Sequence, residues 1–257
     1  MPDKTPAISP PAWQDSELRN PHANEDKPQK VRRMFGAIAA SYDLNNRVHS
    51  LGQDQRWRRY AVRAAAVEPG DIVVDVACGT GDLTQAFART AARQVIGIDF
   101  THGMLKVAQD KRRRDQNRAK FGYFEGDAMN LPLADASADV VSIAFGIRNV
   151  ADPVKALREF ARVLRPGGRL VVLEFDQPRI PLMRWVNNLY CRRIMPLTAT
   201  AISADKSGAY KYLPASVGTF MTREQMVAAI GGVGFTGVNA ASLSMGICAC
   251  YRAIRQM

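Results

Sequence analysis

A glycine turn and two acidic side chains have the types and spacing needed to hold a nucleoside. The turn, Gly79-Thr80-Gly81, follows an apolar run that contains Asp75, and a second apolar run ends in Asp99. Glycines after a strand let the backbone approach a ligand, and an acid at the end of the next strand accepts hydrogen bonds from ribose hydroxyls. We therefore predict that these five residues form a cofactor site.

A third acid narrows the choice of cofactor. Gly126-Asp127-Ala128 follows a third apolar run, where the Asp127 carboxylate can accept from an adenine amino group and the Ala128 backbone N–H can face the ring. A dinucleotide fold has G-x-G-x-x-G, but Thr84 stands in the third glycine position and no cluster of phosphate-binding groups is visible. One acid alone would be read as a cap or turn former. Three at strand ends favour a site for S-adenosylmethionine.

The elements that must position these residues alternate along the chain. Apolar runs separated by helical patterns predict α/β architecture with a doubly wound, mostly parallel sheet. Asp152-Pro153 marks one helix start, because proline suits the first helical turn. The first five predicted strands are Ile72–Ala77, Val95–Asp99, Phe121–Glu125, Ala138–Phe145 and Arg169–Phe175.

The regions on either side of this series differ from it. Residues 1–30 are polar and proline-rich and predict a disordered tail, which leaves 31–257 as one domain. N-terminal helices are predicted from Lys30, ending at Tyr42-Asp43, and over 54–66. A helical insertion after the fifth strand, with a helix over 182–195, precedes a helix over 222–231. Two antiparallel strands, over 234–243 and 246–254, complete a seven-stranded sheet.

Composition limits the classes of protein that remain. An apolar fraction of 47% suits a globular core, and no apolar run approaches the roughly 20 residues that span a bilayer. Without a secretory signal, a cytoplasmic location is the default. The net charge of +11 fits solvated helix faces or an anionic membrane surface; without a nucleic-acid motif, we expect no nucleic-acid partner. The spacing of cysteines and histidines predicts neither disulfides nor a metal site.

Five segments of the chain resemble the C-methyltransferases of the quinone pathway, which make menaquinone and ubiquinone from their demethylated precursors. The resemblance extends from about residue 31 to the C-terminus, and the FGIRN and DKSGAYKYLPAS runs are its most specific parts. The segments are FGAIAASYDLNN (35–46), DVACGTGDLT (75–84), FGIRNVAD (145–152), RVLRPGGRLVVLEF (162–175) and DKSGAYKYLPAS (205–216).

This resemblance implies a class I fold and methyl transfer from S-adenosylmethionine to a ring carbon of a polyprenylated quinol. By position, Thr80, Asp99 and the Asp127-Ala128 pair match the cofactor contacts of the family. Two positions depart from the pattern of the family: Ala144 stands where a serine is frequent, and Cys78 replaces a glycine. The physiological quinone, demethylmenaquinol or a ubiquinone precursor, is left open, as is the oligomeric state, a homodimer included.

The chemistry needs a ring carbon activated by a hydroxyl group on the same ring. We expect Arg148 and Asn149, after the fourth strand, to polarise that hydroxyl, because parallel sheets bind ligands at this edge. The structural alternatives are an ion pair between Arg148 and Asp152 and a capping role for Asn149. The proton acceptor is not assigned; His49, Asp152 and Tyr212 are candidates.

Three tyrosines are expected around the substrate ring. We predict that Tyr42, with Asp43, belongs to a lid over the cofactor, and that Tyr210 and Tyr212 line the ring pocket. Ordinary core packing is the alternative for each. The apolar stripe of the helix over 182–195 suits a prenyl tail, a membrane or the core. Competing functions are methylation of another small phenolic or lipid acceptor, and a basic binding module with a vestigial cofactor site.

Overall fold

The computed structural model describes residues 12–195, 198 and 208–257. Its sheet has seven strands in the order β3-β2-β1-β4-β5-β7-β6. The first five strands are parallel, and β7 runs antiparallel to both β5 and β6, as the sequence predicts. The strands are β1 (Ile72–Val76), β2 (Gln94–Asp99), β3 (Phe121–Glu125), β4 (Ala138–Ala144), β5 (Leu164–Phe175), β6 (Phe235–Leu243) and β7 (Cys248–Arg255).

Helices cover both faces of the sheet. Two begin with caps that are visible in the sequence: the Asp152 side chain accepts from the first-turn backbone of α6, and Thr222 and Gln225 form a capping box at α9. Within the described residues the α-helices are α1 (Lys27–Ile38), α2 (Tyr42–His49), α3 (Gln53–Ala64), α4 (Asp82–Ala88), α5 (His102–Arg113), α6 (Pro153–Val163), α7 (Pro181–Leu189), α8 (Ala209–Gly218) and α9 (Arg223–Gly231).

Alternate residues of β1 face opposite layers of the core. Val74 belongs to the apolar cluster that contains Phe160 of α6, while Val73 belongs to the cluster that contains Phe87 of α4. Because both faces are covered, the central strands read as continuous apolar runs. In the part of the chain that the structure describes, no helix has the length and apolar character needed to cross a bilayer. All four cysteines are free thiols.

Residues 12–30 differ from the disordered tail that the sequence predicts. They contain two short 3-10 turns and the start of α1, and Trp13 is buried against Tyr212 with ring centroids 4.8 Å apart. The His22 ring contacts the Ser216 carbonyl oxygen, and Lys27 donates to the Val150 carbonyl oxygen. Contacts this distant in sequence leave no local periodicity, so the sequence of the segment is similar to that of a disordered tail. Residues 1–11 lie outside the described residues.

Two helical segments also differ from their predicted bounds. Tyr42 begins α2 instead of ending the N-terminal helical region, so Tyr42 and Asp43 lie in the first turn of a separate helix. The helix predicted over 182–195 is α7 followed by a π-helical turn, Tyr190–Ile194. Most of the predicted insertion between that turn and α8 lies outside the described residues.

Candidate active site

A cavity lies at the carboxyl ends of the parallel strands, beside the point where the strand order reverses between β1 and β4. Open α/β sheets bind ligands at this point. The loops that follow β1, β2, β3 and β4 contribute one side of the lining, and α1 and α2 contribute the other. The lining includes Ala77, Gly79, Asp99, Phe100, Thr101, Gly126, Asp127, Ala128, Met129, Ala144, Phe145, Gly146 and Asn149, with Pro28, Val31, Phe35 and Tyr42 from the helices.

The turn after β1 requires both of its glycines. Gly79 and Gly81 have φ angles of +57° and +84°, a region that side chains disfavour. A Cβ atom on Gly81 would also lie 2.0 Å from the hydroxyl oxygen of Tyr123. Ala77, which lines the cavity, adopts a φ of +52° as well. Backbone strain of this kind is concentrated at functional sites, where the surrounding structure holds it.

Asp99 fastens the end of β2 to this turn. One carboxylate oxygen accepts from the Gly79 backbone N–H and the other from the Thr101 backbone N–H, both at 2.8 Å. The side chain is buried, and burial raises its pKa despite these two bonds. An ionised carboxylate has about four acceptor positions, so Asp99 retains capacity for further donors from the cavity.

Asp127 and Ala128, after β3, line the same cavity. The Asp127 carboxylate accepts from the Met129 backbone N–H at 2.9 Å, which closes the turn in which both residues lie. Gly79, Asp99, Asp127 and Ala128 are therefore brought together, as the sequence predicts for residues at neighbouring strand ends.

Three other predicted cofactor residues lie behind the described lining. Asp75 is buried within β1 and accepts from the Thr84 hydroxyl at 2.6 Å, and burial raises its pKa to about 7. The Thr80 hydroxyl donates to Asp43 at 2.5 Å. Gly81 is the N-cap residue of α4 and packs on Tyr123. In this structure the three residues shape the turn without facing the cavity.

The start of α2 is anchored to the glycine turn. Besides accepting from Thr80, Asp43 accepts from the Lys111 ammonium group at 2.8 Å, and Lys111 also pairs with Asp82. These bonds place Tyr42 against the cavity, where its ring meets Phe35 edge-on at 6.0 Å. The arrangement fits the lid position predicted for Tyr42 and Asp43.

Arg148 lies away from the described cavity lining. Its guanidinium donates to Glu174 at 2.6 Å and to the Phe145 carbonyl oxygen at 2.8 Å, and it lies over the Phe175 ring. Both members of the ion pair are buried. The alternative pairing with Asp152 is wrong, because Asp152 caps α6 instead.

Asn149 lines the cavity, and both polar atoms of its side chain have protein partners. The amide nitrogen donates to the Phe145 carbonyl oxygen at 3.1 Å, and the amide oxygen accepts from the Tyr212 hydroxyl at 2.9 Å. Phe145 has a φ of +57°, so Arg148 and Asn149 together hold a strained carbonyl group at the cavity edge.

The tyrosines of α8 have different surroundings. Tyr212 stacks on Trp13, and burial raises its pKa to about 12, so it remains a hydrogen-bond donor at neutral pH. Tyr210 lies beside His49 with ring centroids 6.4 Å apart. Neither tyrosine is part of the described cavity lining, although both belong to the apolar cluster that includes Tyr42.

Sequence reasoning missed the buried cation Lys27 near this site. Its ammonium group donates to Val150, a cavity residue, at 2.6 Å, and burial together with the nearby Arg148 lowers its pKa to about 8. The Asp26-Lys27-Pro28 run is a typical helix start, which could have indicated an ordered element before Lys30.

The arrangement supports binding of a nucleoside next to an apolar group. Polar atoms are concentrated at Gly79, Asp99 and Asp127, while aromatic and aliphatic side chains from α1 and α2 cover the remaining surface. Among the described residues, no group of His, Cys, Asp or Glu side chains could hold a metal ion.

Comparisons with known proteins agree with this geometry. Residues 23–255 match the model of the ubiE/COQ5 methyltransferase family. A demethylmenaquinone methyltransferase of Paenarthrobacter aurescens is 42% identical over 229 residues, covering 89% of this chain and 87% of the relative. A ubiquinone/menaquinone biosynthesis C-methyltransferase of Geotalea daltonii is 39% identical over 228 residues, covering 88% of this chain and 96% of the relative. The crystal structure of a SAM-dependent methyltransferase from Aquifex aeolicus shares the fold, with a TM-score of 0.56 at 15% identity over 77% of this chain and 89% of that chain.

Proposed function

Because this chain belongs to the ubiE/COQ5 methyltransferase family and is a C-methyltransferase of quinone biosynthesis, we propose that its acceptor is demethylmenaquinol. The observation that carries the proposal is the 42% identity, over nearly the full length of both chains, to a demethylmenaquinone methyltransferase. A prenylated benzoquinol of the ubiquinone pathway is the second candidate, since relatives at 39% identity are named for both quinones.

The family and the fold imply S-adenosylmethionine as methyl donor. In our proposal the Gly79 backbone lies against the donor, Asp99 accepts from its ribose hydroxyls, and Asp127 with Ala128 binds the adenine. These four residues line one cavity, and Asp99 has acceptor positions left for the ribose. Asp75, Thr80 and Gly81 contribute by fixing the turn.

The donor supplies an electrophilic methyl group on a sulfonium. The ring carbon of the quinol would take this methyl group, with the sulfur released as a thioether, and would lose its own proton. The protein has to align the two reactants and exclude water. Alignment alone can lower the activation free energy by about 7–11 kcal/mol. The reduced ring is required because the oxidised quinone is electron-poor at carbon.

Arg148 and Asn149 act in our proposal on the turn after β4. Asn149 faces the cavity and is the candidate for contact with a ring hydroxyl. Arg148 is a positioning residue, because it reaches the cavity through the Phe145 carbonyl group that it shares with Asn149. This differs from direct polarisation of the hydroxyl by both side chains.

We also propose that the protein contacts an anionic membrane, where a prenylated substrate resides. Leu182, Trp185 and Leu189 expose an apolar face on α7. Between positions 177 and 204 the sequence has four arginines and no acidic residue, which complements anionic lipid. The π-helical turn that continues α7 carries Tyr190, whose hydroxyl contacts His49 of α2, so this face adjoins the substrate side of the molecule.

A panel of methyl acceptors tests the proposed function. The purified protein is incubated with S-adenosylmethionine labelled in the methyl group and with one acceptor at a time: demethylmenaquinol, a prenylated benzoquinol, a catechol or a phospholipid. We expect label in the prenylated quinols, with demethylmenaquinol preferred. Label in the catechol or the phospholipid but in neither quinol would overturn the proposal.

A further inference from the structure

One face of α2 carries two buried acceptor atoms with no partner in the part of the chain that the structure describes. Tyr42, Asn45 and His49 lie at positions i, i+3 and i+7 of this helix, and therefore on the same side. Among the described residues, none donates a hydrogen bond to Asn45 Oδ1 or to His49 Nε2, although both atoms are buried. A buried polar atom without a partner is unfavourable, so it indicates a bound group that supplies one.

The orientation of the Asn45 amide is fixed. The residue is 1% exposed, and its Nδ2 donates to the Ser41 carbonyl oxygen at 3.1 Å. A flipped amide would place two oxygens against each other, so the free atom is the oxygen. Asn45 therefore presents an acceptor and not a donor.

The tautomer of His49 follows from Tyr190. The Tyr190 hydroxyl donates its hydrogen to the His49 carbonyl oxygen at 3.1 Å, so in its 3.2 Å contact with Nδ1 the ring must donate. The proton then resides on Nδ1, which leaves Nε2 as a lone-pair acceptor. Burial lowers the pKa of His49, so the ring stays neutral at pH 7 and keeps this acceptor.

The face lies between the cavity and α8. Tyr42 at one end lines the cavity, and the His49 ring at the other end is 6.4 Å from the ring of Tyr210. Side chains at i and i+4 of a helix have Cβ atoms about 5–6 Å apart, so Asn45 and His49 are neighbours. Neither Asn45 nor His49 belongs to the described cavity lining, so a planar ring has to pass Tyr42 to reach the two acceptors.

We propose that Asn45 Oδ1 and His49 Nε2 accept hydrogen bonds from the hydroxyl groups of the reduced quinol and thereby select it over the oxidised quinone. A quinol hydroxyl donates, whereas a quinone carbonyl only accepts and would place its lone pairs against theirs. Sites built to bond a hydroxyl discriminate strongly against an analogue that lacks it. This inference rests on the proposed quinol substrate and adds the basis of its redox selectivity.

The test compares the dissociation constants of reduced and oxidised demethylmenaquinone, with a short prenyl tail, under anaerobic conditions. The reduced form should bind the wild-type protein more tightly. His49→Leu and Asn45→Leu should each reduce this preference by about tenfold, because each removes one acceptor. His49→Gln, which retains an acceptor, should keep most of it. Arg47→Gln, on an exposed side chain of the same helix, is the matched control.

Circular dichroism and affinity for S-adenosylmethionine verify that each variant is folded. The inference is overturned if both Leu variants keep the wild-type preference, or if they lose affinity for the two redox forms equally. In either case the wild-type protein would still methylate the quinol, so the proposed function would stand. A wild-type protein that methylates no prenylated quinol would instead overturn the proposed function.

Discussion

The guanidinium of Arg148 donates a 2.6 Å hydrogen bond to the Glu174 carboxylate, and both side chains are at most 5% exposed. Arg148 follows β4, and Glu174 lies near the end of β5. The pair therefore joins two neighbouring strands at the edge where the cavity opens. Through its second bond, to Phe145, Arg148 also supports the strained turn that lines the cavity.

Removing one member of this pair should be strongly destabilising. Arg148→Met leaves the Glu174 carboxylate buried without its cation, and breaking such pairs costs about 3–5 kcal/mol of the free energy of unfolding. The double variant Arg148→Met/Glu174→Gln should lose less than the sum of the two single variants. Urea denaturation followed by circular dichroism measures each value.

The exposed pair of Arg179 with Glu224 is the control for this comparison of single and double variants, since its side chains are 63% and 70% exposed. Its coupling free energy should be below about 1 kcal/mol. Equal couplings for the exposed and buried pairs would contradict the structural role given to Arg148.

Asp99→Ala should weaken binding of S-adenosylmethionine. The change removes the proposed ribose acceptor and the anchor of the Gly79 and Thr101 backbone groups. Hydrogen bonds to a charged group contribute about 1.5–3 kcal/mol, so we expect an affinity loss of roughly 10- to 100-fold. Isothermal titration calorimetry measures it, with Asp135→Ala as an exposed control. An unchanged affinity would refute the ribose role.

Asp75 should make stability depend on pH. Burial raises its pKa from 3.8 to about 7, so between these values the unfolded chain is ionised while the folded protein holds the proton. Folding stability contributed by this group is then lost as pH rises from about 4 to 7, by roughly 1.4 kcal/mol for each pH unit.

Asp75→Asn removes this dependence and keeps an oxygen that accepts from the Thr84 hydroxyl. The stability of the variant relative to wild type should therefore increase across that window and level off above pH 7. Denaturation curves at several pH values, with Asp135→Asn as the exposed control, measure the difference. Parallel pH profiles of variant and wild type would rule the raised pKa out.

Replacing the exposed apolar residues of α7 should weaken membrane binding. Trp185 and Leu182 are 63% and 67% exposed, and withdrawing them from the lipid interface should reduce partitioning by at least about tenfold. Sedimentation with vesicles containing phosphatidylserine measures Leu182→Ser/Trp185→Ser against wild type. Phe124→Ser, in the edge strand β3, is the control because Phe124 is also exposed. Wild-type binding to neutral and anionic vesicles alike would contradict the role of the arginines.

Much of the sheet could be predicted because its signals are local. β4 and β5 are buried on both faces and read as apolar runs, and the glycine turn with Asp99 marks strand ends that line the cavity. Capping residues such as Asp152 also gave helix starts correctly, since a cap contacts only the next turn.

The features that the sequence does not reveal are contacts between residues distant in sequence. Arg148 has an acid four positions later, in Asp152, but its partner is Glu174 on the adjacent strand. Trp13 and Lys27 are buried by α8 and by the loop after β4, which no periodicity within residues 12–30 reveals. The orientation of the Asp75 side chain likewise depends on its hydrogen bond from Thr84 of α4, which lies beside Asp75 only in the folded protein.

The position of the transferred methyl group tests the central claim most directly. The protein is incubated anaerobically with S-adenosylmethionine carrying a ¹³C methyl group and with reduced demethylmenaquinone, and the product is examined by NMR. We predict the resonance of a ¹³C methyl group that is bonded to a ring carbon, and no product from the oxidised substrate. A methyl group on oxygen, or equal turnover of the oxidised quinone, would contradict the assignment as a quinol C-methyltransferase.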